Sequence, residues 1–195
     1  MDKVEIIKIE ATIEGLSDIM FDRFYDHSGE DRPPEKKLYY DEKGNVVMPV
    51  TNIYSFLFRD LPPIGVVRYV EKNKAKEYLA IGQSHIAISP SLIAFTDSKG
   101  KPIHFDGFDS NGKFWINDFE GGLTKMSGGK VIKQEARKRP VMRLPWFLSF
   151  NITVFPNDRV TPDKLRTYFD TGGLVTAIGT HRPQYGRFFV KSWNV

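Results

Sequence analysis

Residues 146–155 read Trp-Phe-Leu-Ser-Phe-Asn-Ile-Thr-Val-Phe, with a large apolar side chain on every second position. Trp146, Leu148, Phe150, Ile152 and Val154 share one face, and Phe147, Ser149, Asn151, Thr153 and Phe155 share the other. A period of two with β-branched and aromatic enrichment predicts a strand whose first face is core and whose second is amphipathic. The flanking sequence supplies the next elements. Downstream, Thr161 is a capping residue, Pro162 suits the first helical position and Asp163 suits the first turn. The spacing therefore predicts a helix over 162–171 that turns Leu165, Tyr168 and Phe169 inward and stops at Gly172-Gly173. A last strand over 186–193 sets Phe188 and Val190 opposite Phe189 and Lys191.

Upstream, residues 4–13 alternate in the same way, with Ile7, Ile9, Ala11 and Ile13 on one face, and Gly15 closes that strand. Thr51 is a suitable N-cap for a helix over 51–59, and Tyr78–Ser89 reads as another alternating strand, over 78–88, through Leu79, Ile81, Ile86 and Ile88. The order strand, helix, strand, strand, helix, strand is the βαββαβ pattern. It predicts an α+β, ferredoxin-like antiparallel sheet with two helices on one face. Short hairpins around Asp41–Asn45, Asp97–Gly100 and Asn111-Gly112 then read as insertions. The whole is one domain over 1–195, with an inserted hairpin region at roughly 90–143.

The bulk composition narrows the chemistry. With 195 residues and no cysteine, the chain has length for a sizeable core but no disulfide, thiolate metal site or cysteine nucleophile. No apolar run approaches the roughly 20 residues needed to cross a bilayer, and the N-terminus has no apolar leader, so a cytoplasmic protein without a membrane partner is expected. The formal net charge of +4 conceals a gradient. Residues 1–60 hold 8 Lys/Arg against 13 Asp/Glu, whereas residues 129–195 hold 12 against 4. A basic last third points to an anionic partner, nucleic acid being the commonest, and opposite charge at the two ends also favours head-to-tail homo-oligomers.

Two stretches carry the predicted contacts. In Gly172–Trp193, Gly179 and Gly186 bracket a run rich in side-chain donors, which suits backbone wrapped closely around an anionic or planar ligand. Arg182, Arg187 and Lys191 are its candidate phosphate contacts and Tyr185 its candidate stacking residue, with Trp146 and Phe147 nearby. In 130–143, Lys130, Lys133, Arg137, Lys138, Arg139 and Arg143 stand against a single Glu135, as in a phosphate-tracking arm.

The N-terminal strand ending in Gly15-Leu-Ser17, with the Gly179-Thr-His-Arg-Pro-Gln-Tyr-Gly186-Arg-Phe stretch, resembles the RAMP superfamily of CRISPR-associated proteins. The chain is also similar to a group of uncharacterised phage and prophage proteins. These share Leu38-Tyr39 through Gly44 to Pro49, the Arg143-Leu-Pro-Trp146 approach to a strand and the Arg182-Pro-x-Tyr-Gly-Arg-Phe ending. The RAMP resemblance implies a ferredoxin-like fold, a C-terminal glycine-rich loop and single-stranded RNA or DNA along sheet and loop. It further implies phage or CRISPR protein partners, and a host cytoplasm if the protein is phage-encoded.

Catalysis is the weaker expectation. His27, His85, His104 and His181 form no ligand-spaced pair, so neither a metal site nor any other cofactor is expected, and no phosphate-loop or nucleophile-elbow motif occurs. His85 reads as a core histidine of a strand, and His104 has Asp106 and Asp109 near it in sequence only. The resemblance leaves one enzyme class open, a metal-free endoribonuclease in which His181 or His27 acts as general base or acid on a 2′-hydroxyl and Arg182 steadies the developing charge. A self-associating virion or assembly protein is the other alternative to a non-catalytic nucleic-acid-binding protein.

Overall fold

The computed structural model describes residues 5–23, 32–119, 124–127, 130–134 and 137–195. In chain order the strands and helices are β1 (Ile7–Gly15), β2 (Ile19–Met20), β3 (Val47–Pro49), α1 (Val50–Phe58), α2 (Val66–Glu71), α3 (Ala75–His85), β4 (Ile86–Ser89) and β5 (Leu92–Thr96). They continue as β6 (Phe114–Phe119), β7 (Thr124–Ser127), β8 (Lys130–Gln134), β9 (Arg137–Met142), β10 (Phe147–Val154), α4 (Pro162–Val175) and β11 (Phe188–Asn194). The fold is α+β. Its main sheet has six strands in the order β11-β1-β10-β5-β3, with β4 also on β10. A second sheet runs β2-β9-β6, and β7 and β8 form a hairpin of their own. Every pairing among the described strands is antiparallel.

The 146–155 stretch is central. β10 pairs with β1 over its whole length, from Ile7↔Val154 to Glu14↔Phe147. Its other edge takes β4 against residues 151–154 and β5 against residues 147–148, so the two short strands share one edge. The inward positions Leu148, Phe150, Ile152 and Val154 are buried with Ile9, Ala11 and Ile13 of β1. Helices α1 and α4 cover this face. Phe56 of α1 and Phe169 of α4 both pack on Phe188 of β11, with ring centroids at 5.3 and 6.4 Å. Burying rings of this size is the main favourable term, at about 1.5–3 kcal/mol per side chain.

Three expectations need correction. The stretch 78–88 is not one strand: α3 runs through it to His85 and only Ile86–Ser89 is extended. The buried residues of α3 are Ala75, Tyr78, Leu79 and Gly82, which is helical spacing. Gly82 belongs to that stripe because a Cβ there would lie 2.1 Å from the Phe58 ring. His85 is accordingly the last residue of a helix, half-buried, with Nδ1 at 2.7 Å from the Ser84 hydroxyl. Second, α4 does not stop at Gly172-Gly173 but runs to Val175, and the backbone N–H groups of Thr176 and Ala177 both close on Gly172 O at 2.8 Å. Third, Thr51 lies inside α1, which starts at Val50 directly after Pro49 with no side-chain cap. The predicted cap of α4 is present, with Thr161 Oγ1 accepting from Lys164 N.

The last strand carries a bulge. Val190 pairs with Ile13 and Ser192 with Thr12, so Lys191 is the extra residue. Beyond it the alternation inverts. Trp193 turns to the helices, 5.6 Å from the Phe169 ring, and Ser192 and Asn194 turn to the opposite face of the sheet.

Candidate nucleic-acid interface

The C-terminal loop is organised around the turn between β1 and β2. Leu16 N and Ser17 N donate to Arg187 O, Gly186 N donates to Asp18 O, and Thr180 N donates to Met20 O at 3.0 Å. Arg187 N in turn donates to Ser17 Oγ. Gly179, at φ 81°, and Gly186, at φ 75°, hold left-handed backbone against this turn. A Cβ on Gly179 would stand 2.9 Å from Met20 O, and one on Gly186 would stand 1.9 Å from Ile178 O. The close approach that these glycines permit is therefore chain against chain.

The same turn gathers other elements. Ser17 O accepts from Trp146 Nε1 at 2.9 Å, and Asp18 Oδ1 accepts from Leu144 N at 3.1 Å. Lys113 closes the underside, donating through Nζ to the Arg143 and Pro145 carbonyls at 2.7 and 2.5 Å. Burial pushes the Lys113 pKa down, and the charges of Asp18 and Asp97 partly offset that.

The predicted site residues fall into three groups. Several are occupied within the fold. Arg182 is half-buried and donates to Ala177 O and Pro63 O, both at 3.4 Å. Burial, and then the nearby Arg59 guanidinium, push its pKa down. Arg59 donates to Leu61 O and Pro62 O, the two carbonyls just before Pro63. Tyr185 OH accepts from Asn117 Nδ2 of β6 at 2.9 Å. Arg143 reaches the Gly112 and Ser110 carbonyls and lies over the Trp115 ring at 5.4 Å. Arg139 makes a largely buried pair with Asp22, Nε to Oδ2 at 2.9 Å. Lys191 pairs with Glu14 at 3.1 Å and stands over the Phe147 ring.

Others are presented outward. Arg187 is exposed, and its backbone alone ties it to the β1–β2 turn. Lys138 is exposed, 3.8 Å from Asp118 Oδ2 in a loose surface pair that contributes little. Its carbonyl accepts from Lys37 Nζ, at 2.8 Å. The third group is placed by backbone alone. β9 pairs Arg139 with Asn117, Lys138 with Asp118 and Arg137 with Phe119. The β7–β8 ladder pairs Lys125 with Lys133 and Ser127 with Lys130. His27 lies outside the described residues, and His181 is exposed at φ 60°.

The predicted sites omitted Lys125, Lys113 and Arg59. Lys125 was open to detection, since Thr124–Ser127 and Lys130–Gln134 flank Gly128-Gly129 as two arms of one hairpin. Nothing in the sequence marks Lys113 or Arg59, whose partners are backbone carbonyls far along the chain or within a proline turn. Among the described residues no group of three or more His, Asp or Glu could hold a metal ion, and no helix is long and apolar enough to cross a membrane. Compared with protein-family models and with curated proteins, the sequence matches none.

Proposed function

We propose that the chain is a non-catalytic, single-stranded nucleic-acid-binding protein on a ferredoxin-like scaffold, with residues 124–138 as its phosphate-contacting arm. The scaffold reading rests on strand order. With β4 and β5 taken together as the second strand, β11-β1-β10-β4/β5 follows the antiparallel arrangement expected of βαββαβ. The binding reading rests on one observation, the β7–β8 hairpin. It pairs with neither of the other sheets among the described residues, and its register sets Lys125 directly opposite Lys133. Like charges at paired positions weaken a ladder, so two lysines there fit an arm that meets an anion. The arm continues into Arg137 and Lys138, and residues 124–138 hold five Lys/Arg against Glu135 alone. Arg187 is the outward cation of the C-terminal loop and extends the same reading.

Fluorescence anisotropy with labelled single-stranded RNA and DNA tests it. Binding at low salt should fall steeply as salt rises, with a slope reduced by about 0.7 for each phosphate contact removed. The double variant Lys125→Glu/Lys133→Glu should lose most of the affinity while keeping its thermal midpoint. Absence of affinity for either strand type at low salt rules the reading out.

A further inference from the structure

The face of the main sheet turned away from the helices holds a recess of about 240 Å³ lined by polar side chains of three strands together with Ala11, Phe150 and Pro90. Two cross-strand rows build it. Asn194, Glu10 and Asn151 occupy paired positions on β11, β1 and β10, and Ser192, Thr12 and Ser149 occupy the next such row. The β11 bulge is what brings Ser192 and Asn194 to this side. Asparagine is among the poorer strand formers, yet Asn151 sits mid-strand on β10, between β1 and β4. Apart from Glu10, the polar side chains along these rows are short and leave the space open.

The chemistry of the lining is specific. Hydroxyls and carboxamides both donate and accept, and Thr12 Oγ1 and Ser149 Oγ are already joined at 2.9 Å, which fixes their positions. Among the described residues one carboxylate, Glu10, lines the recess and no cation does. Of the cations that flank it on the same face, Lys191 is held by Glu14 one row away, and Lys8 lies one row beyond Glu10, outside the lining. A phosphate or carboxylate is therefore disfavoured. A neutral ligand with adjacent hydroxyls is favoured, because a carboxylate accepts two hydroxyl protons side by side while flanking amides take the remaining lone pairs. The volume lies below the roughly 300–1,000 Å³ of drug-sized pockets, which limits the ligand to about one ring.

We infer that this recess is a binding site for the vicinal diol of a single sugar ring, contacted by Glu10, Asn151 and Asn194 and walled by the Thr12–Ser149 hydroxyl pair. Such a diol has two sources, a free monosaccharide or the 3′-terminal ribose of an RNA strand. The inference does not depend on the basic arm.

Saturation-transfer NMR on the full chain with methyl β-ribofuranoside and its 2-deoxy analogue tests the site. Saturable binding of the diol, with at least about tenfold weaker binding of the deoxy compound, is expected. Glu10→Gln and Asn151→Ala should each weaken the diol about tenfold without moving the thermal midpoint. A second arm compares a short RNA with an intact 3′ diol against the same RNA opened by periodate. A preference for the intact end assigns the site to RNA termini, and equal binding alongside a saturable glycoside assigns it to a free sugar. No saturation by any diol probe, equal binding of the deoxy analogue, or binding that survives both substitutions would overturn the inference.

Discussion

Gly15 lies flat against the indole of Trp146. Its N–H donates to Trp146 O at 2.9 Å, and a Cβ at position 15 would stand 2.2 Å from Trp146 Cε2. The indole has no room to retreat. It is fully buried, meets the Phe95 ring edge-on at 5.9 Å, and its Nε1 is bonded to Ser17 O. Gly15→Ala should therefore destabilise by about 1–3 kcal/mol through overpacking, lowering the thermal midpoint by roughly 2–12 °C. An unchanged midpoint in calorimetry would show that the indole can move.

Gly172→Ala and Gly173→Ala carry the opposite sign from a helix-propensity argument. Replacing an interior helical glycine by alanine ordinarily stabilises by up to about 1 kcal/mol. Here a Cβ at 172 would meet the Phe56 ring at 2.6 Å, and one at 173 would meet Phe188 O at 2.4 Å. Both variants should lower the midpoint of urea unfolding, Gly173→Ala the more, since a strand carbonyl yields less than a side chain. A stabilised variant would refute the packing argument.

Arg182 and Arg187 should separate under mutation. Arg182→Ala removes the links from the loop to Pro63 and Ala177 and should cost about 1 kcal/mol of stability. Arg187→Ala removes an exposed side chain and should leave the melting curve in place while weakening nucleic-acid binding and its salt slope. Parallel thermal melts and anisotropy titrations of the two variants check this, and identical melts would remove the distinction.

Alkaline pH should destabilise the protein in part through Tyr168. Burial, and then the hydrogen bond to Glu71 Oε1 at 2.7 Å, raise its pKa well above the ordinary value of 10.0. Above pH 10 the unfolded chain loses this proton while the folded chain keeps it, so stability falls as pH rises, no more steeply than one proton allows. Lys113 acts in the opposite sense, because its lowered pKa lets the folded chain shed a proton before the unfolded chain reaches 10.5. Tyr168→Phe should therefore flatten the alkaline loss of stability in urea titrations between pH 9 and 11. A profile identical to the parent's would place the alkaline loss elsewhere.

The strands with one buried face were legible because their alternation is a direct image of the pleat, as in Leu148, Phe150, Ile152 and Val154. Glycine caused the two largest departures. The stretch around Gly82 read as a strand and Gly172-Gly173 as the end of a helix, but each glycine is a helical residue whose missing side chain admits a neighbouring ring or carbonyl. A hydrophobicity pattern has no symbol for a position that must be empty. The candidate interface was legible as charge and not as geometry. Arg139, Arg143 and Arg182 all look like free cations in sequence, and each has its partner more than a hundred residues away, about thirty residues away or in a proline turn.

The position of β1 has a consequence for synthesis. Its two neighbours are β10, through Ile7↔Val154, and β11, through Glu10↔Asn194. A strand whose partners lie more than a hundred residues further on cannot begin its ladder until the intervening stretch has been made, which at about 5–20 residues per second means several seconds or more with Ile9, Ala11 and Ile13 uncovered. Long-range closure of this kind also slows refolding from denaturant. Abundance in the cell is then governed as much by what shields that nascent segment as by the stability of the finished sheet.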